Sequence, residues 1–378
     1  MTAKELLTII QQTGKNVYSN AEFLKNIEKN NFFDKEFINN YIKTTNEQMP
    51  TDFQNSHFYD IIKNSFVTLK DTITNASLRF KGEDILPCDV PLFGTADFKE
   101  FDAFVETSDD ESVIVFNEGL IMFIQRLKEI YTIEHWLKAN NKITKQMDNL
   151  LTLNFFDIML SFHLFSNAYY AIPLVWCNAE DLNDIGYPEK ICELESPFDK
   201  YIGNQNYMDF EFEISLSTYL WIAAHEYSHI ALGHLKDNND ISKLHLNGIE
   251  VNKIDLNQKQ ELDADLLGAI ISLESESSHF IANGIYLGLT CLMLSYIDTN
   301  ENYNIDHPPV KDRINNIFNN IETDTKYFIS NYKNVAAIFS KKYQNFKELL
   351  YKIDKDNISF SSIHEMQYYI YKVYHIED

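Results

Sequence analysis

The residues best able to do chemistry are His225, Glu226 and His229, in the run WIAAHEYSHIALGH. On a helix, a four-residue spacing puts the two imidazoles on one face a single turn apart, so two nitrogens can share one divalent cation. Glu226 stands beside the first of them, too close in sequence to join the same ion comfortably but well placed to take a proton from a metal-activated water. This is a hydrolase arrangement, and zinc is the expected cofactor. The neighbours Trp221, Ile222, Ala223, Ala224, Ile230 and Leu232 are apolar, where an uncompensated carboxylate costs on the order of several kcal/mol; a cation beside it explains why the charge is tolerated. The bland alternative is an accidental meeting of two histidines and a glutamate on a buried helix.

A third ligand is then needed. The extended metzincin pattern would place glycine at 232 and histidine at 235, but both positions are leucine, Leu232 and Leu235. His234 lies one place off and, at the usual pitch, points about 140° from the ligand face, so it reads as a helix-end residue. The run QELDADLLGA is better suited. Glu261 and Asp265 are one turn apart, and Ala264, Gly268 and Ala269 are small enough to let another helix come close. Glu261 is the expected third ligand. Asp265 can accept the non-ligating N–H of His225 or His229 and fix its tautomer. Asp263 points elsewhere and is expected to be exposed. The alternative is an ordinary solvated acidic face.

Downstream, Asp306-His307-Pro308-Pro309 precedes a helix carrying Arg313. The prolines give a rigid helix start, and a histidine held there can donate to the oxyanion of a tetrahedral intermediate, an interaction worth about 2–4 kcal/mol. The alternative for His307 is a surface position in a turn. Arg313 suits a buried ion pair better than a substrate contact.

The elements that must position these groups follow from periodicity. Residues 1–110 read as a helical N-terminal region, with helical spacing at Ala21, Phe23, Leu24, Ile27 and at Phe32, Phe33, Phe37, Ile38, closed by loop signals from Gly82 to Asp110. A core over residues 111–321 opens with the β-branched strand Ser112 to Phe116, followed by Asn117 as a cap and a helix over Leu120 to Leu137. Helices are expected over Leu150 to Phe165, Leu216 to Leu235 and Asn257 to Glu276, a short strand at Ala171 to Trp176, and a hairpin turning at Asn247-Gly248. Residues 322–378 read as a C-terminal helical region. The fold class is α+β and predominantly α-helical, with helical additions at both ends placed to gate a cleft or recruit a partner such as an activating peptide or protein.

Composition narrows the function. The chain has 378 residues, a formal net charge of -24 and 45% hydrophobic residues. It can bury a substantial core, and its charge repels nucleic-acid phosphates and anionic membrane surfaces. Cys88, Cys177, Cys192 and Cys291 form no CxxC pair, so neither a disulfide framework nor a thiolate zinc site is indicated and a reducing cytoplasm is expected. The start, MTAKELLTIIQQTGKN, has no secretory pattern. The two longest apolar stretches, Leu150 to Trp176 and Phe280 to Ile297, are interrupted by polar residues and read as buried helices.

HExxH, then ExxAD (Glu261, Ala264, Asp265), then HPPxxxRI (His307, Pro308, Pro309, Arg313, Ile314) resembles, in order and content, the gluzincin metallopeptidases of the CAAX prenyl protease and HtpX type. The resemblance covers about a quarter of the chain. It implies a zincin-like core in which His225, His229 and Glu261 are zinc ligands, Glu226 the catalytic base, Asp265 and Arg313 supporting groups and His307 the transition-state donor. That family is usually embedded in membranes, whereas this chain shows no convincing pair of spans and a shorter segment between His229 and Glu261. It also resembles the Lit type of soluble phage-exclusion peptidase, which would imply cleavage of a translation elongation factor during infection. The expected activity is hydrolysis of a protein or peptide substrate. The rival is a non-catalytic, zinc-stabilised interaction or toxin-antitoxin-like protein, and a third reading is hydrolysis of a small amide.

Overall fold

The computed structural model describes residues 1–17, 57–85, 91–96, 103–108, 111–165, 204–237, 243–246, 249–275, 278–295, 308–321, 325–356, 358–360, 365, 369–370 and 372–373. The expected helices around Ala21 and Phe32, the strand at Ala171 to Trp176, the Asn247-Gly248 turn and His307 lie outside the described residues.

Helix α1 (Ala3–Val17) packs Leu6, Leu7 and Ile10 on one face of a small sheet, against Ala96, Val113 and Val115. Helix α2 (His57–Asn75) buries Ile61, Ile62, Phe66, Leu69 and Ile73, an i, i+4 stripe turned to the main core. A two-residue ribbon of β1 (Arg79–Phe80) and β2 (Glu83–Asp84) precedes the sheet. The sheet consists of β3 (Leu92–Ala96), β4 (Ala103–Ser108) and β5 (Glu111–Asn117), in the order β3-β5-β4. β5 runs parallel to β3 and antiparallel to β4. Its run Val113 to Phe116 is fully buried, as a central strand covered on both faces requires. The sheet draws strands from both sides of residue 110, and β4 is an edge strand among the described residues.

β5 feeds directly into helix α3 (Glu118–Ala139). Asn117 occupies the N-cap position with extended backbone, but its buried side chain makes no capping hydrogen bond, contrary to the expectation of a side-chain cap. Helix α4 (Lys145–Phe165) returns along α3. The central helix is α5 (Gln205–Ala231). It begins earlier than the apolar pattern predicts, because Asn204 caps it by accepting from the Tyr207 N–H at 3.4 Å. It also stops earlier, at a left-handed Gly233 with φ of 73°. A short 3-10 turn (His234–Asp237) follows, then the antiparallel pair β6 (Lys243–Leu246) and β7 (Ile249–Asn252). Helix α6 (Lys253–Leu273) leaves β7 at once, so Asn257 lies inside the helix and not at its cap. Helices α7 (Ser278–Ser295), α8 (Val310–Asn320) and α9 (Thr325–Lys355) follow. The architecture is the expected α+β class, mostly helical with small sheets.

α5 is buried along most of its length, from Ile214 to Ser228, between α6, α7, α2 and α3. α7 is equally enclosed, with Ile281, Ile285, Leu287 and Leu289 at 0% exposure. Among the described residues no helix is long and apolar enough to cross a membrane. α7 approaches α5 closely: a Cβ at Gly284 would stand 2.6 Å from the Ser217 carbonyl carbon. Gly284→Ala must push the two backbones apart and should destabilise the protein by about 1–3 kcal/mol, the range for overpacked cores. A denaturant midpoint unchanged by this substitution would show that the helices do not pack this closely.

Candidate metal centre

The site forms where α6 crosses α5. A Cβ on Gly268 would lie 2.9 Å from the backbone nitrogen of His225 and 3.0 Å from its Cα, so at this point backbone rests on backbone. Ala264 and Ala269, on neighbouring turns, are fully buried. The small face read from the sequence therefore serves to bring the carboxylates of α6 down to the imidazoles of α5.

Three side chains converge there. His225 Nε2 and His229 Nε2 are 3.3 Å apart. Glu261 Oε2 is 3.5 Å from His225 Nε2, and Glu261 Oε1 is 3.4 Å from His229 Nε2. The set offers one ligand atom from each residue, all within 4.8 Å of one another. Atoms at the corners of a tetrahedron about 2.0–2.1 Å from zinc stand about 3.3–3.4 Å apart, so the 3.3 Å between the two imidazole nitrogens suits that ion, and the Glu261 carboxylate faces both of them.

Behind these groups lies a charged relay. Asp265 is completely buried and takes a bidentate contact from Arg313, with Nε donating to Oδ2 and Nη2 to Oδ1, each at 2.6 Å. The same Oδ1 lies 3.0 Å from His225 Nδ1, which places the non-ligating nitrogen of His225 against a carboxylate. Arg313 Nη2 is also 3.7 Å from Glu261 Oε2. Helix α8, which carries Arg313, is further tied to α6 by Asn316, whose Nδ2 donates to the Leu262 carbonyl at 2.7 Å.

Glu226 is buried and lines a cavity of about 250 Å³ together with His225, His229, Glu261 and Arg313. The remaining walls are apolar, from Leu120, Ile124, Trp221 and Ile222, and from Ala103, Phe104 and Val105 of the edge strand β4. A larger cavity of about 500 Å³, among Glu134, Lys138, Asp148 and Lys342, shares no lining residue with the histidine cluster.

Two placements differ from the sequence expectation. Asp263 is not simply exposed: Lys81, at the tip of the β1–β2 ribbon, contacts its Oδ1 at 2.6 Å. His234, expected at the helix end, lies beyond it at the start of the 3-10 turn, and its Nδ1 is 3.1 Å from His229 Nδ1. The glycine at 233 was the available sign, since a glycine just past a helix commonly reverses the chain.

Without a cation the two imidazoles are electrically unlike. Burial alone would lower the His225 pKa, but Asp265 and Glu261 outweigh it and raise the value to about 10. Burial, then the charge on His225, depress His229 to about 3. For Asp265, burial opposes ionisation, but Arg313 and His225 prevail and hold the pKa below the usual carboxylate value.

Residues 174–332 match the family model described as Peptidase U49, a stretch that contains all of the groups above from His225 to Arg313. This part of the chain is thus similar to a peptidase family. No curated protein and no solved structure matches the chain.

The pKa directions give opposite pH limbs. His225, raised from 6.5 to about 10, contributes stability that is fully present below about pH 6.5 and lost as the pH rises towards 10. His229, depressed from 6.5 to about 3, contributes stability present above about pH 6.5 and lost as the pH falls towards 3. In chelator-treated protein the denaturant midpoint, as far as this pair governs it, should therefore peak near pH 6.5. His225→Gln should flatten the alkaline limb; a limb that survives the substitution unchanged would have another origin.

Proposed function

We propose that the protein is a zinc-dependent endopeptidase in which His225, His229 and Glu261 hold the metal and Glu226 is the general base. The observation that carries this reading is the convergence of His225, His229 and Glu261, whose ligand atoms lie within 4.8 Å of one another, in the wall of a cavity that also holds a buried glutamate. The similarity of residues 174–332 to a peptidase family supports the same reaction class. Bound zinc would supply Lewis acidity for the scissile carbonyl and would make an attacking water more acidic.

The chain's own residues supply the rest. Glu226 accepts a proton from the water as its oxygen bonds to the carbonyl carbon, and returns it to the amide nitrogen as the C–N bond breaks. Asp265 accepts from His225 and so keeps that ring's other nitrogen turned to the metal, while Arg313 holds Asp265 ionised. His307, which precedes the anchored helix α8, is assigned the oxyanion-stabilising role that its sequence resemblance implies. Its proximity to α8 in the chain, with Arg313 fixed on Asp265, is what supports that assignment.

A polypeptide substrate suits the cavity better than a small amide. β4 is paired only with β5 among the described residues and forms one wall of the site, so an extended peptide can add beside it through backbone hydrogen bonds. Partners are then a protein or peptide substrate and an activating peptide or protein, acting in the cytoplasm. A regulatory or phage-exclusion role of the Lit type belongs to the same proposal and rests on the sequence resemblance.

Glu226→Gln should bind one equivalent of zinc as the unsubstituted protein does, while cleavage falls by at least about 100-fold. Metal analysis and a comparison of new protein N-termini in cells expressing each form measure the two effects. Equal cleavage by both forms would remove Glu226 from the mechanism; absence of zinc from both would remove the metal.

A further inference from the structure

His234 lies off the expected ligand face, but the fold returns it to the site. α5 ends at Ala231, the Gly233 N–H donates to the Ile230 carbonyl at 3.0 Å, and Gly233 adopts φ of 73°. Glycine reaches that left-handed conformation without steric cost. The reversal brings the His234 ring against His229, with centroids 5.1 Å apart and planes at 71°. Their Nδ1 atoms are 3.1 Å apart. At that distance one nitrogen donates and the other accepts.

Only one of the two assignments is compatible with a metal. If His234 donated, the proton of neutral His229 would sit on Nε2, the atom that faces His225 Nε2 and Glu261, and its lone pair would be blocked. If His229 donates its Nδ1–H, its Nε2 lone pair points into the ligand triangle and His234 is the acceptor.

We propose that His234 is a positioning residue for the metal: it accepts the Nδ1–H of His229 and so fixes the tautomer and ring orientation of that ligand. It does for His229 what Asp265 does for His225. His234 faces the nitrogen of His229 that is turned away from the cluster, so it supports a ligand without being one. Unlike Asp265, it adds no negative charge beside the metal. The inference rests on the reading of His225, His229 and Glu261 as ligands.

The test uses the full chain, stripped of metal and titrated with zinc against a competing chelator. His234→Ala should weaken zinc binding by about 10–100-fold, the usual effect of removing a group that orients a ligand. His234→Asn can place its Oδ1 where the ring nitrogen stood and should recover most of the loss. Denaturant midpoints of the three metal-free proteins should agree closely, which separates orientation of a ligand from general stability. In nitrogen-15 spectra of the zinc-loaded protein, the His229 Nδ1–H should give a resolved signal that disappears in His234→Ala and persists in His234→Asn. Failure of the unsubstituted protein to bind zinc would overturn the ligand reading itself. Tight binding there, with equal affinity and an unchanged signal in His234→Ala, would overturn the positioning role alone. X-ray absorption showing a third imidazole on zinc that is lost in His234→Ala would also overturn it, by making His234 a ligand.

Discussion

A carboxylate buried at 0% exposure between apolar helices has to be met by charge, and the way Asp265 is met organises the site. Its two oxygens receive the guanidinium of Arg313, and one of them is shared with His225. Helices α5, α6 and α8 are thereby held at one point by groups that tolerate little displacement, because a planar fork on a carboxylate is restrictive in both distance and angle. Such a pair gains little net stability over apolar packing once desolvation is counted. Its retention is more readily understood through geometry: Arg313 holds the Asp265 pKa down and fixes its carboxylate with one oxygen 3.0 Å from His225 Nδ1.

That electrostatic constraint and the close packing of α6 on α5 depend on each other. The carboxylate of Glu261 can reach both imidazoles only because Gly268 brings its helix onto the backbone of His225. Conversely, the approach that Gly268 permits would leave the buried Asp265 facing only His225 if α8 did not supply Arg313. Asn316, bonded to the Leu262 carbonyl, adds a neutral contact that fixes the same helix pair. The meeting of His225, His229 and Glu261 is therefore the outcome of backbone contact, ion pairing and helix docking, none of which lies in the HExxH segment alone.

The parts of this arrangement that were legible in the sequence are those written in helical spacing. His225 and His229 share a face, as do Glu261 and Asp265, and the small residues at 264, 268 and 269 announce a close neighbour without naming it. What was not legible depends on where helices end and on distant contacts. Extending α5 as a straight helix carried His234 away from the ligand face, whereas the chain reverses at Gly233. Asn257 and Asn117 have the composition of caps, but α6 starts at the exit of β7, and the Asn117 side chain is buried without making the capping bond. The Lys81–Asp263 contact joins residues 182 positions apart. The pairing of β3 and β4 around β5 likewise depends on tertiary packing that local patterns of one or two apolar residues do not encode.

The arrangement also weighs on whether bound metal would serve catalysis or only hold helices together. A structural zinc site usually closes its shell with four protein ligands, whereas a catalytic one leaves a position open. Among the described residues the cluster contains three candidate ligands. His234 contacts Nδ1 of His229, the nitrogen opposite the one that faces the cluster. The Arg313–Asp265 pair and the backbone contact at Gly268 already join the helices. A metal there would add least to the fold and most to the space in front of it, where Glu226 and the edge strand β4 share one cavity wall. An open space beside three candidate ligands is what a catalytic metal site needs and a purely structural one does not.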